Sequence, residues 1–285
     1  MNYILIRQLK EVFFVLFSIN KCLVLMPMKT KFTITFLGTG TSQGIPVIGS
    51  THPVCLSENP KDKRLRVSVL LSWDNYNYVI DCGPDFRQQM LTQGISKLDG
   101  ILFTHEHADH TAGIDDVRPF FFRQGDIPIY AHERVVASLK QRFDYIFADE
   151  DRYPGAPAVE VNIIQNNHSF LIGDTEVIPI EADHNRLQVF GFRVKDFTYL
   201  TDVKRIKDEE LEKIKNSKIL VVNALREEPH HSHFNLEEAL AFVKQVRPEV
   251  AYFTHISHLL GFHDQVEKKL PKNVHLAYDN LKIEL

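Results

Sequence analysis

Within Thr104-His105-Glu106-His107-Ala108-Asp109-His110, three imidazoles and an aspartate fall in six consecutive positions, 105–110. Imidazole nitrogen and carboxylate oxygen are ligands for zinc and similar divalent ions. On an extended or tightly turned backbone, His105 and His107 can reach one ion while Asp109 and His110 reach a neighbour. A His-x-His-x-Asp-His string is far more constrained than a lone histidine, which favours a metal site over a solvated polar loop. His184, Asp202 and His255 recur in a similar context, each at or shortly after the end of a strand-like run. Strand carboxyl ends in α/β folds converge on one rim, where binding sites form. Taken singly, each of the three would be an ordinary surface or core residue; their shared placement is what draws them together.

The chain also carries Arg226-Glu227-Glu228-Pro229-His230-His231-Ser232-His233 just ahead of Asn235. Asn235 followed by Glu238 is a capping-box start for a helix over 236–246. A helix start presents free backbone N–H groups that favour an anion. His230 and His231 read as a solvated loop.

These groups must be positioned by the remainder of a 285-residue chain that is 44% hydrophobic and 25% charged. That composition is ordinary for a globular protein and excludes disordered, collagenous or disulfide-stapled classes. Cys22, Cys55 and Cys82 are too few and too scattered for an extracellular disulfide framework. A formal charge of -4 is opposite to that of a protein gripping nucleic acid through a basic surface. β-branched and aromatic runs predict strands at 32–37, 67–72, 76–80, 100–104, 127–131, 159–164, 176–180, 189–194, 198–201, 219–224 and 250–254. Helical patterns fall between them, at 85–93, 133–143, 209–216 and 236–246. Helices spaced through both halves, among strands that look antiparallel, suggest a single-domain α/β sandwich more than a doubly wound parallel sheet.

Residues 1–28 stand apart as an N-terminal extension to a domain over 29–285. Their apolar patches at 4–6, 12–17 and 23–26 are broken by Arg7, Lys10, Glu11 and Lys21. None approaches the roughly 20 apolar residues of a membrane-spanning helix. The expectation is a working protein that begins at Met28 and resides in the cytoplasm.

His105-x-His107-x-Asp109-His110, followed by His184, Asp202 and His255, resembles the ligand set of the metallo-β-lactamase superfamily. Phe36-Leu37-Gly38-Thr39-Gly40-Thr41-Ser42, Asp81-Cys82-Gly83 and Thr254-His255-Ile256-Ser257-His258 are similar to the branch containing the phosphoribosyl 1,2-cyclic phosphate phosphodiesterases (PhnP-type). The resemblance implies a four-layer αββα sandwich with two divalent ions, Zn or Mn. His105, His107 and His184 would hold the first ion, Asp109, His110 and His255 the second, and Asp202 would bridge them. Asp81 would hydrogen-bond a ligand histidine and fix its ring. His233 matches the family histidine that contacts phosphate and donates a proton. Such a pair of ions lowers the pKa of bound water from about 15.7 toward 7, supplying hydroxide at neutral pH.

The function so implied is hydrolysis of a small, cyclic or nucleotide-like phosphodiester, with Asp109 and His233 in the catalytic centre. Transfer-RNA 3′-processing is an alternative on the same ligands, although the protruding, basic, Gly-rich arm of those nucleases has no counterpart here. Thioester or lactam hydrolysis is another, because the metal ligands alone do not distinguish it. A non-catalytic metal-dependent scaffold is a third. Members of the branch often carry a structural zinc as well, for which only His52, Cys55 and His258 remain, Ser50 standing where a cysteine is expected. Three ligands are one short of the usual four, so this site is doubtful. No membrane is implicated, the partner is a small phosphate ester, and a homodimer is compatible with the chain.

Overall fold

The structure is a computed structural model describing residues 31–148, 150 and 152–285, with the strands Ser18–Ile19 and Cys22–Leu23. Internal contacts divide the chain into two units, Met1–Lys31 and Phe32–Leu285. In the first, the two short strands pair antiparallel. The expectation for 1–28 otherwise lies outside the described residues.

The second unit holds two mixed sheets. One has seven strands, in the order Lys282–Glu284, Thr33–Gly38, Ser68–Trp73, Tyr76–Ile80, Gly100–Leu102, Ile127–Ala131 and Val159–Ile163. The other runs Arg205–Ile206, Thr175–His184, Leu187–Val194, Phe197–Tyr199, Ile219–Asn223, Val250–Thr254 and Val274–Leu276. Phe170–Ile172 adds an eighth strand beside Thr175–His184. Each sheet joins antiparallel hairpins to parallel strands.

Strand periodicity explains why they stack. Along Ser68–Trp73, Val69, Leu71 and Trp73 enter the layer between the sheets, where they join Phe190, Phe192 and Tyr199 of the second sheet. Leu70 points the other way, into a layer with Phe86, Met90, Phe120 and Leu139 from the helices over the first sheet. The second sheet is covered likewise, Val222 and Phe253 packing on Ala239, Phe242 and Val243 of the helix Leu236–Val246. The result is helix, sheet, sheet, helix. Every strand near the middle is buried on both faces, which is why the apolar runs were readable.

The expected capping box is present: Glu238 N–H donates to Asn235 Oδ1 and Asn235 N–H to Glu238 Oε2, both at 2.9 Å. Gly94, at φ 64°, ends the helix Phe86–Gln93 in the left-handed region. Two differences bear on function. The strand expected at 176–180 extends over Thr175–His184, because Ala182 and His184 continue its buried face beneath the polar Glu181 and Asp183. It then turns through Asn185, at φ 59°, into Leu187–Val194. A helix at Arg118–Gln124 and the strands Phe170–Ile172, Arg205–Ile206, Val274–Leu276 and Lys282–Glu284 were not anticipated; the strands have only two or three residues, too few to show a period. Among the described residues, no helix is long and apolar enough to cross a membrane.

Candidate metal centre

Five short stretches meet at one rim. The 105–110 loop leaves the end of Gly100–Leu102, and its last residues form the helical turn Ala108–Thr111. His184 closes the strand Thr175–His184, Asp202 follows Phe197–Tyr199, and His255 follows Val250–Thr254. Asp81 follows Tyr76–Ile80. Asp81, Asp202 and His255 all have positive φ, at 64°, 57° and 54°. That region is uncommon outside glycine, and a residue held there is over-determined by its surroundings.

The seven expected ligands form overlapping groups whose donor atoms lie within 4.8 Å of one another. These are His105, His107 and His184; His105, His110 and Asp202; and Asp109, His110 and His255. A fourth group joins His184 and Asp202 to His233. His105 Nε2 is 2.9 Å from His107 Nδ1. His110 Nε2 is 3.2 Å from Asp109 Oδ2 and 3.3 Å from Asp202 Oδ2, while His255 Nε2 is 3.3 Å from Asp202 Oδ1. Asp202 thus faces histidines of both groups.

Neighbouring groups aim the rings. The Asp81 carboxylate accepts from His110 Nδ1 at 2.7 Å, from Thr104 N–H at 2.8 Å and from Thr104 Oγ1 at 2.8 Å. The Thr104 hydroxyl, its proton given to Asp81, accepts from His105 Nδ1 at 3.0 Å. His184 Nδ1 donates to the Ser232 carbonyl at 2.8 Å. Each contact engages Nδ1 and turns Nε2 toward the other donor atoms of the cage, as metal-binding imidazoles require. The loop is seated closely: Cys82 N–H donates to the His110 carbonyl at 2.8 Å, and a Cβ on Gly83 would lie 2.0 Å from the Asp109 carbonyl oxygen.

The electrostatics fit a cation. Burial pushes the Asp81 pKa up, against the pull of His110. Burial also works to raise Asp109 and Asp202, yet His110 and His255 hold both carboxylates below the ordinary range. Burial, and then the neighbouring His110, lowers the His105 pKa, and burial lowers that of His184, so both rings favour the neutral, ligating form. His110 Nε2 and both ring nitrogens of His255 are buried without a well-formed hydrogen bond. Unpartnered buried donors of this kind are costly unless something else engages them. Imidazoles and carboxylates crowded around one point suit divalent zinc or manganese.

His233 lies against this cage, its ring centroid 4.5 Å from that of His184 and 4.8 Å from that of His255. Its Nε2 is 2.9 Å from Asp202 Oδ1, and its Nδ1 is 3.0 Å from Ser232 Oγ and 3.1 Å from His230 Nδ1. His231 is exposed, as a solvated loop requires, whereas His230 is half-buried against His233. The latter contact was not anticipated. Nor were the roles of Thr104 and Ser232, whose partners are distant in the chain or carry no motif.

His52, Cys55 and His258 lie together but outside this cage. The His52 and His258 rings are 4.9 Å apart, His52 Nδ1 accepts from Val54 N–H, and Cys55 Sγ accepts from Val47 N–H at 3.5 Å. Among the described residues, their donor atoms do not gather as those of the cage do.

Residues 76–256 match the beta-lactamase superfamily domain. A crystal structure described as a new diphosphatase from the PhnP family superposes with a TM-score of 0.84 at 38% identity, covering 90% of this chain and 98% of that one. An octanoyltransferase of Porphyromonas gingivalis is 37% identical over 248 residues, 86% of this chain and 50% of that protein. A ribonuclease Z of Listeria innocua is 28% identical over 210 residues, 66% of this chain and 60% of that protein. The chain therefore spans about half the length of the first of these two relatives and less than two thirds of the second. With the rim of imidazoles and carboxylates in place, the chain belongs to the beta-lactamase superfamily and, within it, to the PhnP family.

Proposed function

We propose that this protein hydrolyses a small phosphate compound whose reacting phosphorus carries two bridging oxygens, either a cyclic or nucleotide-like phosphodiester or an organic diphosphate. His105, His107 and His184 would hold one divalent ion and Asp109, His110 and His255 a second, with Asp202 between them. Two such ions would supply a nucleophile from water at neutral pH and offset the negative charge of the phosphate. His233 would contact the substrate phosphate through Nε2 and pass the Nε2 proton, which Asp202 Oδ1 accepts in this structure, to the leaving oxygen. His230 and Ser232 hold its Nδ1 side, and the Asp202 carboxylate orients its Nε2.

The observation that carries this reading is the place of His233, stacked over His255 and edge-on to His184. An eighth polar group there serves a leaving oxygen between the two halves of the cage. That the 38%-identical protein of known structure is a diphosphatase supports attack at phosphorus, and this chain covers 98% of that one. Ribonuclease Z relatives match over smaller shares of both chains. Half of the octanoyltransferase lies outside the match, so acyl transfer is not carried over.

Purified protein loaded with zinc or manganese is to be assayed on phosphoribosyl cyclic phosphate, a generic aryl phosphodiester, dinucleoside diphosphates, precursor transfer RNA and an acyl thioester. Turnover of a diester or diphosphate, lost on chelation and restored by metal, is the expected result. Hydrolysis of the thioester or the transfer RNA alone would overturn the proposal.

A further inference from the structure

Glu106 stands between His105 and His107, and its carboxylate is engaged by a neighbouring helix. Arg134 Nε donates to Glu106 Oε1 at 2.8 Å. The same guanidinium donates through Nη2 to the Gln188 carbonyl. Gln188 pairs with Asp183 in the hairpin that ends one strand at His184. One cation therefore touches the carboxylate of the residue between two imidazoles, which follow a strand of the first sheet, and the hairpin of the second sheet that bears the third imidazole. Arg134 is itself anchored, its backbone N–H donating to His132 Nδ1 at 3.1 Å at the start of the helix Glu133–Arg142. At the far end of that helix, Arg142 Nη2 donates to the Glu106 carbonyl at 3.1 Å and to Thr111 Oγ1 at 2.9 Å. Thr111 Oγ1 in turn donates to the His107 carbonyl at 2.8 Å.

We infer that Arg134 is a positioning residue. Bridging Glu106 and the Gln188 carbonyl, it sets the separation of the His105/His107 pair from His184, and thereby the affinity of that metal site, without touching the site. A ligand set assembled from two sheets needs a rigid link between them, since a binding constellation must be held within about 0.5 Å. Arginine suits the task because its planar fork serves two acceptors in fixed directions, whereas lysine offers a single mobile ammonium. A partly exposed ion pair adds little to fold stability by itself, so its loss will register in metal affinity.

The inference rests on His105, His107 and His184 holding an ion, and the experiment separates the two claims. Cobalt(II) is titrated into metal-stripped full-length wild type, Arg134→Gln, Arg134→Lys and Glu106→Gln, recording stoichiometry, affinity and the visible spectrum. Wild type binding fewer than two equivalents would overturn the metal centre. With two bound, Arg134→Gln is expected to weaken one equivalent by about 10–100-fold and alter its spectrum, leaving the other and the metal-free Tm nearly unchanged. Arg134→Lys should recover part of that loss, and Glu106→Gln should weaken the same equivalent to a smaller extent. An Arg134→Gln protein with wild-type affinities and spectrum, or with both equivalents weakened alike, would overturn the clamp. If Arg134→Gln does not fold, Glu106→Gln decides: no selective weakening there refutes the inference.

Discussion

Asp81 Oδ2 and His110 Nδ1 lie 2.7 Å apart with both side chains fully shielded from solvent. Through Thr104, the same carboxylate also steadies His105. One strand-end aspartate therefore orients a histidine in each of two overlapping donor groups. Both of its oxygens are spent on these partners, so it is a support for the cage and no member of it.

Replacing Asp81 by alanine should leave His110 and Thr104 without their acceptor while keeping every donor of the cage. Metal affinity is expected to fall about 10–100-fold, the usual cost of losing a partner that holds a ligand histidine. Isothermal titration of the metal-stripped variant with zinc measures it. An unchanged affinity would mean that packing alone aims His110.

Asp109→Ala and His107→Ala should abolish turnover of the best phosphate ester without unfolding the protein, because each removes one donor from a rim supported by three buried apolar layers. Circular dichroism and activity on the same sample decide it. Wild-type hydrolysis in either variant would end the two-metal mechanism.

His233→Ala should retain both metals and lose about 10²–10⁴-fold in kcat, the range of general acid catalysis. The loss should be largest for an alkoxide leaving group and much smaller for p-nitrophenolate, which departs without a proton. A uniform loss across leaving groups would assign His233 to phosphate binding only.

Stability has its own pH dependence, from a histidine that is not among the donors of the cage. His263 is buried, and its Nδ1 lies 3.1 Å from Arg64 Nη2, positioned to accept from that guanidinium. Burial, and then the charge of Arg64, lowers its pKa from 6.5 to about 4. The unfolded chain therefore binds the extra proton between these values, and this contribution to stability is lost as pH falls from about 6.5 through about 4. In His263→Gln, whose amide oxygen can still accept from Arg64, urea midpoints should decline less from pH 7 to pH 4.5 than in wild type. An equal decline would exclude His263 as a source.

The metal chemistry was legible because it is local. Six consecutive residues hold His105, His107, Asp109 and His110, and no folding is needed to see that they can share ions. The central strands were legible for a related reason: both faces are buried, so Val69, Leu70 and Leu71 write an unbroken apolar run. The Asn235 capping box is equally local, its partners three residues apart. Edge strands such as Arg205–Ile206 and Lys282–Glu284 escaped notice because they are short and partly polar, and pairing alone makes them strands.

What the chain alone determined is the inventory: which donors exist, that they follow strands, and that their types suit divalent ions. Tertiary structure decided how they are held. That Asp81 serves His110, that Ser232 turns the His184 ring, that His230 backs His233 and that Arg134 spans Glu106 and Gln188 are contacts across 29, 48, 3 and 28 or 54 positions. Apart from the His230 pair, such contacts leave no period or spacing in a sequence. A hydrogen bond depends on where atoms lie in space, and two sheets stacking on a shared apolar layer is what brings them there.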